Sequence, residues 1–165
     1  MMARYAFDQI VRDHDAMIRR IASSYEAQPH LSEDLVQEIY FATWRALPSF
    51  RGDSSLRTFV ARIATNRALT HVARAMRLPR SLELSDRLPA PGDSPESMAI
   101  AVNRQARLMA AVRSLPLAHR QAVTLTLEGL TPKEIADSLG ITANAVAIRL
   151  SRAKELLRTY LGDKP

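Results

Sequence analysis

The residues best suited to chemistry lie at 131–158 and 33–45, and in both stretches that chemistry is binding rather than bond-making. Asn144, Ala147, Arg149, Ser151, Arg152, Lys154 and Arg158 fall on the outward side of a predicted C-terminal helix. Guanidinium forks bind phosphates and guanine edges, and an asparagine near a helix N-terminus suits base contact. Ile148, on the same nominal face, either meets a thymine methyl or lies on the domain core. The features of an enzyme are missing. His14, His30, His71 and His119 are scattered without metal-ligand spacing, and there is no cysteine, phosphate-binding glycine loop or nucleophile elbow. Glu33, Asp34 and Glu38 resemble an acid/base cluster, yet carboxylates on an exposed helix need no catalytic role. The residues predict a non-enzyme that needs neither metal nor cofactor.

The elements that must position these groups are helices. Phe7, Ile10, Val11, His14, Met17, Ile18, Ile21 and Tyr25 recur at three- and four-residue steps, and Pro29 closes this first predicted helix. Ser32 is the expected N-cap of the second, with Glu33 and Asp34 in its first turn and Leu35, Val36, Ile39, Tyr40, Thr43 and Leu47 facing inward. Pro48 stops it, the polar loop 49–55 follows, and a third helix carries Leu56, Phe59, Val60, Ile63, Ala64, Val72 and Met76 on its inner stripe. Residues 78–95 hold four prolines and read as a mobile linker, although their four spaced leucines suggest that it lies along something. Ser94 and Pro95 then cap a helix with Met98, Ala101, Val102, Gln105, Leu108, Met109 and Val112 inward. A helix from about 117 to 128 ends at Gly129, a predicted left-handed residue.

Thr131-Pro132-Lys133-Glu134 combines an N-cap, a proline at the first helical position and a glutamate at the third, a full capping box. Gly140 ends that short helix, Ile141 and Thr142 make the turn, and a long helix buries Val146, Leu150, Ala153, Leu157 and Tyr160 or Leu161. A short helix, a glycine turn and a longer basic helix form the unit that lays its second helix in the major groove. The bland alternative is an αα-hairpin with a solvated basic face, and the capping, turn and charge together favour DNA binding. No alternating β-branched run exists, so the predicted fold is all-α, two small helical domains joined by a flexible linker.

Charge agrees with a polyanionic partner. The chain is net +6, with +4 over residues 1–80, −3 over 81–100 and +5 over 101–165. The polar, acidic N-terminus does not resemble a signal peptide, and no stretch is long and apolar enough to span a bilayer. A cytoplasmic protein is expected.

Glu33-Asp34-Leu35-Val36-Gln37-Glu38, Trp44-Arg45-Ala46-Leu47-Pro48-Ser49-Phe50-Arg51-Gly52, Leu56-Arg57-Thr58-Phe59 and Arg62-Ile63-Ala64-Thr65-Asn66-Arg67 resemble region two of bacterial extracytoplasmic-function sigma factors, in order and spacing. Leu115-Pro116, Arg120-Gln121-Ala122-Val123, Leu127-Glu128-Gly129-Leu130-Thr131, Glu134-Ile135-Ala136, Leu139-Gly140-Ile141 and Arg149-Leu150-Ser151-Arg152-Ala153 resemble region four. The resemblance implies region two over 1–78, a linker over 79–95 and region four over 96–165. It implies that Asp34, Gln37, Glu38, Phe41 and Arg45 dock on a coiled coil of the largest subunit of core RNA polymerase. It assigns Ser49, Phe50, Arg51, Gly52, Asp53 and Ser54 to a loop that captures an unstacked base of the −10 element. Phe50 either supplies a stacking ring or plugs the helix junction, and Gly52 serves the turn. Arg57, Arg62, Asn66 and Arg67 would touch the opening duplex, and Arg74, Arg77 and Arg80 would extend the positive surface.

Thr131, Lys133, Asn144, Ala147, Ile148, Arg149, Arg152 and Lys154 would bind the −35 element, with region four also meeting the polymerase flap. Ala147 and Ile148 stand where the family commonly has lysine and serine, so the −35 preference does not carry over. Thr70 replaces a common aspartate without an evident role. The family further implies an anti-sigma partner. The rival reading is a stand-alone helix-turn-helix regulator, dimeric on a symmetric operator, which would leave the acidic second helix and the arginine-rich third without a purpose.

Overall fold

The structure, a computed structural model, describes residues 2–77 and 96–162. Within them every regular element is helical: α1 (Met2–Ser23), α2 (Pro29–Ala46), a 3-10 turn (Leu47–Ser49), α3 (Leu56–Arg77), α4 (Glu96–Ser114), α5 (Leu117–Leu127), α6 (Pro132–Leu139) and α7 (Ala143–Leu161). The all-α expectation holds. The expected linker with its leucines, Arg80 and the Ser94–Pro95 cap fall outside the described residues.

Helices α1, α2 and α3 pack pairwise into a three-helix bundle. Met17, Ile18, Ile21, Leu35, Val36, Ile39 and Val60 are fully buried in it. The other fully buried apolar residues of α3 are small, Ala61, Ala64 and Ala68, and Leu56, Phe59, Leu69 and Val72 pack partly buried against the same core. Two buried threonines add little polar cost, because Thr43 Oγ1 donates to the Ile39 carbonyl at 2.8 Å and Thr65 Oγ1 to that of Ala61 at 2.9 Å.

Three expectations fail for identifiable reasons. Pro29 does not merely end α1: it is the first residue of α2, with Gln28 as N-cap and Ser32 inside the helix. A missing N–H costs nothing at the first helical position, so a proline there starts a helix as readily as it stops one. Met76 is exposed, because the last turn of α3 runs past its partners. Gln105 and Leu108 are also exposed, and among the α4 residues whose burial is described the fully buried ones begin at Ala111, while Met98, Ala101 and Val102 of the expected stripe lie outside them. At the end of α7 Tyr160 is exposed and Leu161 is the half-buried member of the expected pair.

Helices α4 to α7 enclose Val112, Leu115, Val123 and Ala153 in a small core. Leu125, Leu130, Ile135 and Val146 belong instead to the apolar cluster of the α1–α3 bundle, so the two groups of helices meet over an apolar joint. Tyr25 sits in this joint with the Arg120 guanidinium 5.3 Å from its ring centre. Burial pushes the Tyr25 hydroxyl up to about 12, against smaller opposing effects of Thr124 and Arg120.

The sign of that shift makes the joint sensitive to alkali. A phenol that ionises near 10 when unfolded and about 12 when folded keeps its proton longer in the native state. Its contribution is intact below pH 10 and is lost as pH rises toward 12, about 2 kcal/mol of it by about pH 11.5. Urea unfolding of the wild type and Tyr25→Phe should therefore diverge between neutral and alkaline pH, with the variant losing less. Parallel losses in both proteins would refute the assignment.

Candidate nucleic-acid interface and docking face

The α6–α7 pair is held by caps at both ends of its turn. Thr131 Oγ1 accepts from Glu134 N at 3.2 Å, and a Glu134 carboxylate oxygen accepts from Thr131 N at 2.7 Å, completing the capping box. Gly140 closes α6 at φ +66°, a left-handed conformation that favours glycine. Thr142 Oγ1 then caps α7 by accepting from Ala145 N at 3.0 Å. Ile135, Ala136, Val146 and Ala153 are buried beneath the pair. Thr131→Ala should cost about 1 kcal/mol in thermal or urea unfolding, and Thr131→Ser should recover most of it. An alanine variant as stable as the wild type would show the cap to be idle.

This scaffold turns one face of α7 outward. Asn144, Ala147, Ile148, Ser151 and Arg152 follow the three- and four-residue step and all are exposed. Ile148 is 45% exposed, which decides between its two readings: it faces outward and not into the core. Arg149 is half-buried on the flank, while Lys154 and, at the start of α6, Thr131 and Lys133 are exposed. None of Lys133, Arg149, Arg152, Lys154 or Arg158 forms an ion pair among the described residues.

A second face belongs to α2. Its inner side is committed to the bundle, while Asp34, Gln37, Phe41, Trp44 and Arg45 are exposed and Glu38 is partly so. Phe41 and Trp44 are 57% and 54% exposed, stacked with ring centres 6.1 Å apart, and the Arg45 guanidinium lies 5.8 Å from the Phe41 ring centre. Two solvated aromatics stacked on each other form a preassembled contact patch. Sequence reasoning missed Trp44, although its position three residues after Phe41 carried the signal. The carboxylates of α2 differ in engagement. Glu33 pairs with Arg19, which also holds Asp15, and this hydrogen bond keeps the Glu33 carboxyl below its ordinary value, the wrong direction for a general acid. Glu38 lies 3.8 Å from Arg74, and Asp34 has no ion pair among the described residues.

The loop between α2 and α3 is short and anchored. Ser49 Oγ donates to the Ala46 carbonyl at 2.6 Å, and Thr58 N donates to Ser55 Oγ at 3.1 Å. Phe50 is half-buried with its ring centre 4.7 Å from that of Phe59, so it packs the helix junction. Gly52 turns the chain at φ +80°. Arg51, Gly52, Asp53 and Ser54 are exposed, as are Arg62 and Asn66 one turn apart on α3, and Arg67 is partly buried. Arg57 is engaged with Glu128, a residue to which sequence reasoning gave no role. Among the described residues Thr70 Oγ1 bonds only to the Asn66 carbonyl of its own helix. No described helix is long and apolar enough to cross a membrane, and no described group of three or more acidic or histidine residues could hold a metal.

The family profile described as Sigma-70 region 2 matches residues 10–78, and that described as Sigma-70, region 4 matches residues 105–157. The chain is 33% identical over 159 residues to ECF RNA polymerase sigma factor SigE of Mycolicibacterium smegmatis, covering 94% of this chain and 62% of SigE. It is 30% identical over 162 residues to the ECF RNA polymerase sigma-E factor of Escherichia coli K12, covering 92% of this chain and 84% of that protein. The solved structure of the sigma factor RpoE in complex with the anti-sigma factor NepR from Bartonella quintana shares the fold, with TM-score 0.73 and 21% identity over 97% of this chain and 99% of that one. The match over residues 10–78 accounts for the helices that a stand-alone helix-turn-helix regulator would leave without a purpose.

Proposed function

The chain belongs to the extracytoplasmic-function RNA polymerase sigma factors, and we propose on that premise that it binds core polymerase and directs promoter-specific transcription initiation. It is an initiation factor and not an enzyme. Residues 1–78 act as region two and 96–165 as region four, with 79–95 joining them. The face of α2 bearing Asp34, Gln37, Glu38, Phe41, Trp44 and Arg45 docks on the coiled coil of the largest polymerase subunit. Residues 49–54 with Arg57, Arg62, Asn66 and Arg67 engage the −10 element, and Asn144, Ile148, Arg149, Arg152 and Lys154 on α7 engage the −35 element while region four rests on the flap. The protein works in the cytoplasm, where its polymerase is.

The observation that carries this reading is the two-faced α2. One side is sealed into the bundle, and the other offers a stacked Phe41–Trp44 pair and an exposed Asp34 that forms no ion pair among the described residues. Such a patch fits a protein partner and has no use on an isolated DNA-binding domain. The NepR complex of RpoE supports a further element, restraint by an anti-sigma partner. Transcription in vitro with core polymerase over a promoter library is the direct test. The expected result is initiation at a defined promoter class, and failure to initiate together with failure to bind core would sink the proposal.

A further inference from the structure

The N-terminal half of α1 and the neighbouring part of α2 enclose a groove of about 440 Å3 that opens to solvent. Phe7, Val11 and Tyr40 line it and are half-buried, while Asp8, Arg12 and Gln37 at its rim are exposed. Tyr40 also packs against the apolar core of the bundle, whereas among the described residues Phe7 and Val11 are not recruited to that core. Two apolar side chains one turn apart on α1 therefore face an open groove with a polar rim. That is the arrangement of a pocket that receives one apolar side chain of a protein partner.

The groove is continuous with the outward face of α2 through Gln37. Gln37, Phe41 and Trp44 stand at i, i+4 and i+7 and so share one line along the helix. The Gln37 amide donates to a Glu33 carboxylate oxygen at 3.4 Å, and Arg19 of α1 grips the same carboxylate while it donates to Asp15 at 3.1 Å. This network ties the rim of the groove to both helices. From Gln37 to Trp44 the rise along α2 is about 10.5 Å, seven residues at about 1.5 Å each. A partner helix lying along α2 presents its own residues i and i+7 at the same spacing. One such helix can thus seat a side chain in the groove and rest another on the stacked rings. A nucleic-acid backbone has no apolar group to offer the groove, and its phosphates would meet Asp8 and Asp34.

We propose that the polymerase-docking surface crosses from α2 onto α1: the groove at Phe7, Val11 and Tyr40 seats one bulky apolar side chain of the largest subunit's coiled coil, a heptad away from the residue that meets Phe41 and Trp44. This rests on the assignment of α2 to that coiled coil. Asp8 and Arg12, of opposite charge and one turn apart, form no ion pair among the described residues, and Arg12 donates only to Gln9 at 3.0 Å among them. Both are therefore available to charges that flank the partner's apolar residue, which fixes the register of docking. Because the anchors sit on two helices, the partner binds the packed bundle and not α2 by itself.

The chain has no cysteine, so a benzophenone can be attached to the full-length protein at Arg12→Cys, an exposed position. In the complex with core polymerase it should crosslink to the largest subunit, and crosslinking to another subunit or to none would overturn the proposal. Val11→Phe, which fills the groove, should weaken core binding about tenfold, and Phe7→Ala, which removes one wall, about fivefold. Circular dichroism of the free variants checks that they are folded, and the crosslink decides the question should either one unfold. Core affinity within twofold of wild type in both folded variants would also overturn the proposal. Replacing Phe41 and Trp44 together by alanine separates the two layers. If that variant loses core affinity while Val11→Phe and Phe7→Ala keep it, α2 docks and α1 takes no part; if all three bind as wild type does, the α2 assignment itself fails.

Discussion

Replacing Phe41 and Trp44 together by alanine is expected to weaken binding to core RNA polymerase about a hundredfold while leaving the thermal stability of the free chain nearly unchanged. The two halves of this expectation have separate causes. Both rings are more than half exposed, and Leu35, Val36, Ile39 and Ala42 on the opposite side of α2 carry its packing. Truncating them therefore removes little that holds the fold together. At an interface, exposed aromatics become the buried anchors: a ring that fills a pocket in the partner contributes on the order of 2 kcal/mol, and a stacked pair fills it with little loss of side-chain freedom. A hundredfold corresponds to about 2.7 kcal/mol, within reach of one such cluster. Asp34→Lys should act differently, slowing association and weakening its salt dependence, because a rim charge steers more than it anchors. Trp44 is the only tryptophan, so in Phe41→Ala its emission still reports docking directly. Core affinity within twofold of wild type in the double variant would remove α2 from the docking surface.

Legibility in the sequence followed interaction range. The capping box at Thr131 and Glu134, the Thr142 cap and the left-handed Gly129 and Gly140 are local devices, and each is found where its residues announce it. The inner stripes of α1 and α2 were equally plain, because several residues at helical spacing specify one face. Periodicity was less informative at helix ends. Met76 and Leu108 continue their stripes in phase yet are exposed, because burial needs a neighbouring helix to cover the side chain as well as a phase. Glu128 was out of reach for a different reason. Its partners Arg20 and Arg57 lie 108 and 71 residues away, and nothing in one chain's residue order pairs them. The proposed docking face is legible as an acidic helix with an outward Phe41, whereas the stacking that makes it a patch needs the placement of Trp44.

Removing both Arg149 and Arg152 should lower affinity for an upstream promoter element about a hundredfold, with most of the loss disappearing at high salt. Each arginine is expected to contribute about 1–3 kcal/mol, more where it forks onto a guanine edge and less where it meets only phosphate. Salt distinguishes those cases, because each phosphate that the protein ceases to neutralise reduces the slope of log affinity against log salt by about 0.9. Glu155 is expected to limit how far along α7 DNA can be held. It is exposed one turn beyond Arg152 in the stripe that begins at Asn144, and its carboxylate disfavours phosphate there. Base contacts are thereby expected in the first half of α7, where recognition helices meet base edges. Ile148 lies in that half, 45% exposed and between Asn144 and Arg152. An apolar group there gains nothing from phosphate and suits a thymine methyl, so Ile148→Ser should relax preference at one base pair and leave the salt slope unchanged. Binding of full-length chain with core polymerase to elements selected from a random library, at two salt concentrations, gives both quantities. A double arginine variant with the wild-type slope and affinity would show that α7 does not face the DNA.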